Sequence, residues 1–369
     1  MKILHVVRQF YPAVAGMENT VLGLCQHLQR RGHQCDVVTL NRTWSGPDRL
    51  PAQAIVRNIR VFRLPFIGRR RLFLAPGVLK HAPNYDLVHI HGIDFFLDFL
   101  ALTRLLYRRP FVVSTYGGYF HTSWGRGIKR VYFQTITKSA LSQARKIICT
   151  SQHDHQLFSS IAAPQKLTTV GVGIDTAFFS VRKECQAGML VYIGRVAQNK
   201  HIERLIDVLP FVRGSMPEAR LIIIGSDWEG LQAQLEAHAR ARGVSNSVEF
   251  VGQVEDAALK QYLAQAHLFV MASDYESFGI ALLEAMSTGA VVVVNDIDTF
   301  REFIVPGDNG FLTNFANPAQ AAETIATALR LDPQQREAIG ARARATARQF
   351  CWETIAEQIE HVYRDSFTI

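Results

Sequence analysis

Several absences narrow this chain before any motif is read. Its 369 residues include five cysteines, Cys25, Cys35, Cys149, Cys185 and Cys351, which are scattered, odd in number and without a CxxC pair. That usage fits free thiols in a reducing cytoplasm and speaks against a disulfide framework or a structural zinc site. No apolar run reaches the roughly 18–20 residues needed to cross a bilayer. Met1–Val7 reads as a short strand ending at Arg8, with no h-region or cleavage site, so no signal peptide is expected. Internal repeats and low-complexity tracts are missing. No strand-to-helix turn contains G-x-G-x-x-G, which argues against a dinucleotide-dependent oxidoreductase. No residue spacing looks like a metal-ligand set, and neither a metal nor a cofactor is expected.

Acidic residues are scarce in one half only. Residues 1–175 hold 23 Lys+Arg and 8 Asp+Glu, a net of +15, whereas the remainder holds 17 and 24, a net of −7. Basic clusters occur at Arg69–Arg71, Arg108–Arg109 and Arg126/Lys129/Arg130. Such a half suits an anionic surface, whether membrane, nucleic acid or phosphorylated ligand, although a merely solvated basic face is the plain alternative.

The length suffices for two domains, and 48% of the residues are apolar, as in a well-buried globular protein. Strand-like runs alternate with helical patterns, which calls for parallel sheets covered on both faces. In the first half the strands are expected near Ile3–Val7, Cys35–Leu40, Asp86–His91, Phe111–Ser114 and Lys146–Thr150. Helices are expected over Gly16–Arg31, stopped by Gly32, and over Ile128–Leu141. The second of these mixes cations with aromatics, so it could rest on lipid headgroups or be an ordinary amphipathic helix. Residues 171–187 lack periodicity and read as a linker between a domain of residues 1–170 and another of 188–350. The alternation then restarts with Met189–Ile193, Arg220–Ile224, Val248–Val251, His267–Met271 and Ala290–Val294. The expected fold class is α/β, with two Rossmann-like doubly wound parallel sheets. Residues 351–369 include a final helix near Trp352–Tyr363.

The stretch that carries the functional signal is Asp274–Gly289, DYESFGIALLEAMSTG, between two of these strands. Ile280, Leu282, Leu283, Ala285 and Met286 have the spacing of a short helix, with Ser277 and Gly279 at its start. The first N–H groups of a helix have no intrahelical acceptor, so this start could hold a diphosphate. Glu276 lies just before the helix, and Glu284 lies about one and a half turns in, on the order of 8 Å along the axis. Each carboxylate can accept from two neighbouring hydroxyls, Glu276 from a sugar and Glu284 from a ribose. Two solvated glutamates on an ordinary αβ unit would show the same spacing.

E-x7-E with the S-F-G turn and the EAM-x-x-G continuation resembles family 4 of the retaining GT-B glycosyltransferases. MKILHVVRQFYP, HIHGIDFF and FVVSTYGGYFHT extend the resemblance over nearly the whole chain, toward bacterial GDP-mannose-dependent α-mannosyltransferases of lipid-linked exopolysaccharide assembly. The resemblance implies a GT-B fold with ligands in an interdomain cleft, and a last helix (351–369) that crosses back to the N-terminal domain. It implies retaining transfer of a hexose, with GDP-mannose as the first donor candidate and another nucleoside-diphosphate sugar as the alternative. The implied acceptor is a lipid-linked glycan, and the implied location is cytoplasmic, on the anionic inner face of the cell membrane, with no nucleic-acid partner.

Residue by residue, G-R-x4-K matches Gly194, Arg195 and Lys200, two cations that could neutralise a leaving diphosphate, though such a surface pair is often only solvated. Gly16 matches a glycine that lets the backbone approach phosphates, but Ala15–Gly16 replaces the usual glycine pair. Gly225 and the loop holding Val251 and Gly252 match donor-side positions near the base, with guanine and uracil both open. Ser277, Phe278, Gly279 and Ile280 form the diphosphate turn, with Glu276 on the sugar and Glu284 on the ribose. The departure is Tyr116, standing where relatives have a histidine that faces the donor sugar. His121 is the nearest histidine, as a functional substitute or a structural residue. Ser151 matches a serine in the same relatives, with helix capping as its plain role. A catalytically silent sugar-nucleotide or glycan-binding protein therefore stays open beside the enzyme.

Overall fold

The computed structural model of the protein describes all residues other than 14, 45, 47, 70, 71, 119–125, 368 and 369. The chain divides into two compact units, Met1–Gly173 with Trp352–Ile369, and Ile174–Cys351.

The first unit is built on a sheet whose strands in chain order are β1 (Lys2–Val7), β2 (Gln34–Leu40), β3 (Gln53–Val56), β4 (Ile59–Leu64), β7 (Leu87–His91), β8 (Phe111–Ser114), β9 (Lys146–Cys149) and β10 (Leu167–Thr169). A separate hairpin supplies β5 (Ile67–Arg69) and β6 (Leu72–Leu74). The order across the sheet is β10-β9-β8-β7-β1-β2-β4-β3, parallel except for the antiparallel edge pair β3–β4. The inner strands are buried along nearly their whole length, which explains why they read as continuous apolar runs. β4 was not legible in that way because IRVFRL interleaves arginines with its apolar residues.

The helix Gly16–Arg30 ends as expected, with Gly32 at φ 86 just beyond Arg31. The expected Ile128–Leu141 helix is instead three pieces: an α-helix over Arg126–Tyr132, a π-helical turn over Phe133–Thr137 and an α-helix over Lys138–Gln143. A π-turn adds one residue to an otherwise α-helical run, and the short, cation-mixed apolar pattern of this stretch does not report it. The last helix, Trp352–Asp365, belongs to this unit. The Trp352 ring stacks on His27, and Glu360 bonds Arg31 at 2.6 Å and His33 at 3.1 Å.

The second unit has six parallel strands, β11 (Met189–Ile193), β12 (Arg220–Ile224), β13 (Val248–Gly252), β14 (Leu268–Met271), β15 (Val291–Asn295) and β16 (Phe311–Thr313). Their order is β13-β12-β11-β14-β15-β16, a doubly wound arrangement with helices between the strands. Five of the six were expected within a residue at each end. β16 is three residues long, too short for a periodicity signal.

Candidate active site

The strand order of the second unit reverses between β11 and β14, which are hydrogen-bonded neighbours. In such sheets ligands lie beyond the carboxyl ends of the strands at that reversal. The segment leaving β11 carries Gly194, Arg195 and Lys200, and the segment leaving β14 carries Asp274–Gly279. The fold thus brings the two sequence motifs, some eighty positions apart, to one place.

The two segments are bonded to each other. Asp274 N donates to the Asn199 carbonyl at 3.3 Å, and Asn199 Nδ2 donates to the Tyr275 carbonyl at 3.4 Å. Arg204 clamps the Asp274 carboxylate with two bonds, at 2.5 and 2.9 Å, and His201 Nε2 lies 2.9 Å from it. Thr299 Oγ1 donates to the Glu276 carbonyl at 2.9 Å. Within this frame Lys200 Nζ reaches Glu276 Oε1 at 2.6 Å, with each side chain 12% exposed. A charge-assisted bond so poorly screened fixes both heads at the strand ends.

The helix after β14 runs Ile280–Ser287, and its cap Gly279 is left-handed at φ 94. Its first intrahelical bond is Leu283 N to Gly279 O, so the N–H groups of Ile280, Ala281 and Leu282 lack intrahelical acceptors. A side chain at Gly279 would also meet Phe300 at 3.1 Å. Glu284 is half-buried on this helix, with no side-chain hydrogen bond to any described residue. Desolvation, aided by Asp256, pushes its carboxyl up to about 8. A desolvated carboxyl of this kind is suited to ligand hydroxyls.

Gly194, Gly225 and Gly252 stand side by side on the ends of β11, β12 and β13, linked by the bonds Gly194 N to Ile224 O and Gly225 N to Gly252 O, each 2.9 Å. A Cβ on Gly225 would lie 2.0 Å from the Gly194 carbonyl oxygen, so Gly225 serves close backbone approach. Val251 precedes Gly252 on the same strand end. Arg195 is exposed, and its guanidinium stacks over Trp228 at 5.2 Å. Ser277 is half-buried in the turn, while the Phe278 ring turns inward onto Phe303 and Phe350, anchoring that turn.

In the first unit Gly16 opens its helix and is exposed, with no side chain capping that end. Tyr116 follows β8 in the left-handed region at φ 51. The residue before it is pinned, since Thr115 Oγ1 donates to the buried Asp154 carboxylate and Thr115 N donates to the Ile148 carbonyl at 3.0 Å. Tyr116 Oη lies 2.9 Å from His91 Nδ1, and His91 Nε2 lies 3.0 Å from His5 Nδ1. Burial holds His91 well below its ordinary range, so its ring is neutral and carries one N–H. His5 Nε2 is buried without a partner. The Tyr116 hydroxyl and the His91 and His5 rings thus form one hydrogen-bonded line inside the unit. His121 lies outside the described residues, as do Arg70 and Arg71. Ser151 caps the helix Gln152–Ser159, its Oγ accepting from Asp154 N at 3.1 Å.

Residues 174–346 match the group 1 glycosyl transferases, and residues 14–178 match glycosyltransferase family 4. The chain is 35% identical, over 99% of its own length and 93% of the relative's, to a GDP-mannose:cellobiosyl-diphosphopolyprenol alpha-mannosyltransferase of Komagataeibacter xylinus. The chain is a family 4 glycosyltransferase. A relative of the same description from Xanthomonas oryzae pv. oryzae is 36% identical to this enzyme, covering 90% of it and 88% of the relative. Among solved structures, Anabaena Alr3699/HepE in complex with UDP and glucose superposes with a TM-score of 0.81 at 22% identity, over 99% of both chains. The glycosyltransferase accordingly has the GT-B fold.

Sequence reading missed the histidine column of this glycosyltransferase. His5, His89 and His91 come from β1 and β7, paired His5 to His89, and share one buried sheet face. HIHG in a strand alternates toward that face, which is the signal that was available. The ligand atoms of His5, His89 and His91 lie within 4.8 Å of one another, as do those of His5, Cys25 and Cys35. No spacing in the sequence reports clusters assembled across strands. His89 is already engaged, by Tyr363 Oη at 2.7 Å and Ser114 Oγ at 2.8 Å. The histidines therefore make a hydrogen-bonded layer leading to Tyr116.

Proposed function

We propose that this glycosyltransferase moves mannose from GDP-mannose to a lipid-linked glycan, with retention at the anomeric carbon. The observation that carries the reading is the Lys200–Glu276 pair standing at the strand reversal beside the Gly279 helix start. The names of its relatives from K. xylinus and X. oryzae support the donor and the class of acceptor.

In this reading the diphosphate lies on the N–H groups of Ile280–Leu282, with Arg195 and Lys200 neutralising the charge that grows on it. The bond between the sugar anomeric carbon and the phosphate oxygen breaks, and the electron pair leaves with the diphosphate. The acceptor hydroxyl attacks the same face, and its proton passes to the departing phosphate oxygen. Glu276 orients the sugar through its hydroxyls, and Glu284 receives the ribose. Val251 and Gly252 lie under the base, and Tyr116 donates its O–H to the sugar. Arginine and lysine supply the positive charge, so the mechanism invokes neither metal nor cofactor. The net +15 of residues 1–175 supports peripheral attachment to the anionic inner face of the cell membrane.

Thermal unfolding with a panel of GDP-, UDP- and ADP-sugars tests the donor. A ligand that binds only the folded state raises Tm. GDP-mannose should give the largest rise, and the rise should shrink in Glu284→Ala. Stabilisation by UDP- or ADP-sugars alone would overturn the donor assignment.

A further inference from the structure

The first unit contains a groove of about 1210 Å³, between the helix Phe95–Leu102 with the turn Arg104–Tyr107 and the helical rod that ends in Lys138–Gln143. Phe95, Phe99, Ile136 and Phe367 give it an apolar lining. Two leucines of the lining, Leu102 and Leu105, are 85% and 84% exposed, and the adjacent Leu106 is 72% exposed. Contiguous apolar exposure of this kind is unusual on a soluble surface and marks an interaction site. Small-molecule pockets run to about 300–1,000 Å³, so this groove suits an extended hydrocarbon better than a compact polar ligand.

The charge around it is mainly positive. Arg104, Arg108, Arg109 and Arg145 all line the groove, and among the described residues none of them is in an ion pair. Where they are bonded, the acceptors are neutral: Gln143 Oε1 for Arg104, the Leu105 carbonyl for Arg108 and the Pro83 carbonyl for Arg109. Among the described residues the lining has a single carboxylate, Asp98, which accepts from the Tyr132 hydroxyl. That bond ties the groove to the helix Arg126–Tyr132, where Ile128 and Val131 are also exposed. A row of aliphatic side chains beside unneutralised guanidinium groups complements a phospholipid, with chain below and phosphate above.

We propose that this groove is where the enzyme docks on the bilayer, taking the hydrocarbon chain of an anionic phospholipid while the four arginines hold its phosphate. The proposal rests on the membrane attachment argued above and names the surface that makes it. It assigns docking to both apolar insertion and charge, and it moves the main contact away from Lys129 and Arg130.

The test is co-sedimentation of the full-length protein with vesicles of phosphatidylcholine alone, and with phosphatidylglycerol added. Four proteins are compared: wild type, Leu102→Glu/Leu105→Glu, Arg108→Glu/Arg109→Glu, and Lys129→Glu/Arg130→Glu as the control. The substituted side chains are exposed, except for the half-buried Lys129, and retention of the wild-type melting temperature shows that each variant is folded. Leu102→Ser/Leu105→Ser serves as a second apolar variant should the glutamates unfold the helix. Wild type should bind the anionic vesicles, with both groove variants weakened at least about tenfold and the control weakened less. Wild-type affinity for anionic vesicles in both groove variants would overturn the groove while leaving membrane attachment standing. Failure of wild type to bind either vesicle would overturn both. A dimer in light scattering that Leu102→Glu/Leu105→Glu dissolves would make the groove a contact between copies and overturn lipid docking.

Discussion

The Lys200 ammonium and the Glu276 carboxylate meet at 2.6 Å across segments that leave neighbouring strands β11 and β14. Neither residue can be altered without leaving the other a poorly solvated charge. In the proposed mechanism the two divide the donor, Lys200 taking the diphosphate and Glu276 the sugar.

Glu276→Ala should therefore act mainly on kcat, lowering it by about 10²-fold or more, because sugar contacts strengthen as the bond breaks. Glu284→Ala should mainly raise the donor KM, since ribose contacts change little during the reaction. Steady-state kinetics of both variants decide this. Equal and small effects would remove the donor-site assignment.

Glu284 also makes a prediction about pH. Its folded carboxyl titrates near 8, above the usual 4.5, so the folded state holds a proton that the unfolded state releases. Stability from this group is whole below about pH 4.5 and falls as the pH rises through about 8. Glu284→Gln should flatten that fall in a Tm-versus-pH series. An unchanged slope would show that Glu284 ionises normally.

Tyr116 depends on His91 at 2.9 Å for its orientation. Tyr116→Phe should cost about 1–3 kcal/mol in transition-state stabilisation, the worth of one buried hydrogen bond. Tyr116→His should keep or raise turnover, and histidine is among the residues that tolerate the left-handed backbone found there. His121→Ala should have a modest effect. Abolished turnover in His121→Ala, with folding and donor affinity intact, would make His121 the catalytic group instead.

The glycine row gives a stability contrast. Gly225→Ala drives a methyl against the Gly194 carbonyl at 2.0 Å and should cost more than about 2 kcal/mol. Gly252→Ala meets nothing within 4 Å and pays only for its φ of 79, about 1–2 kcal/mol. Denaturant melts of the two variants should separate them in that order.

The second unit was largely legible because its inner strands β11, β12, β14 and β15 are buried on both faces and its helix start is written in consecutive residues, Ser277–Gly279. The strand reversal that joins Lys200 to Glu276 was not, since pairing between β11 and β14 depends on contacts across some eighty positions. The histidine column escaped for the same reason, with His5 and His91 on different strands. The π-turn at Phe133–Thr137 and the arginine-laced β4 were hidden by local patterns that mimic a plain helix and a polar loop.

The most direct test of the central claim is a transfer assay with GDP-mannose and a lipid-linked glycan acceptor, followed by NMR of the new glycosidic bond. The account predicts an α-linked mannosyl product, the anomeric configuration of the donor retained, with Glu276→Ala and Lys200→Ala each nearly silent. A β-linked product, or turnover at the wild-type rate in both variants, would contradict it.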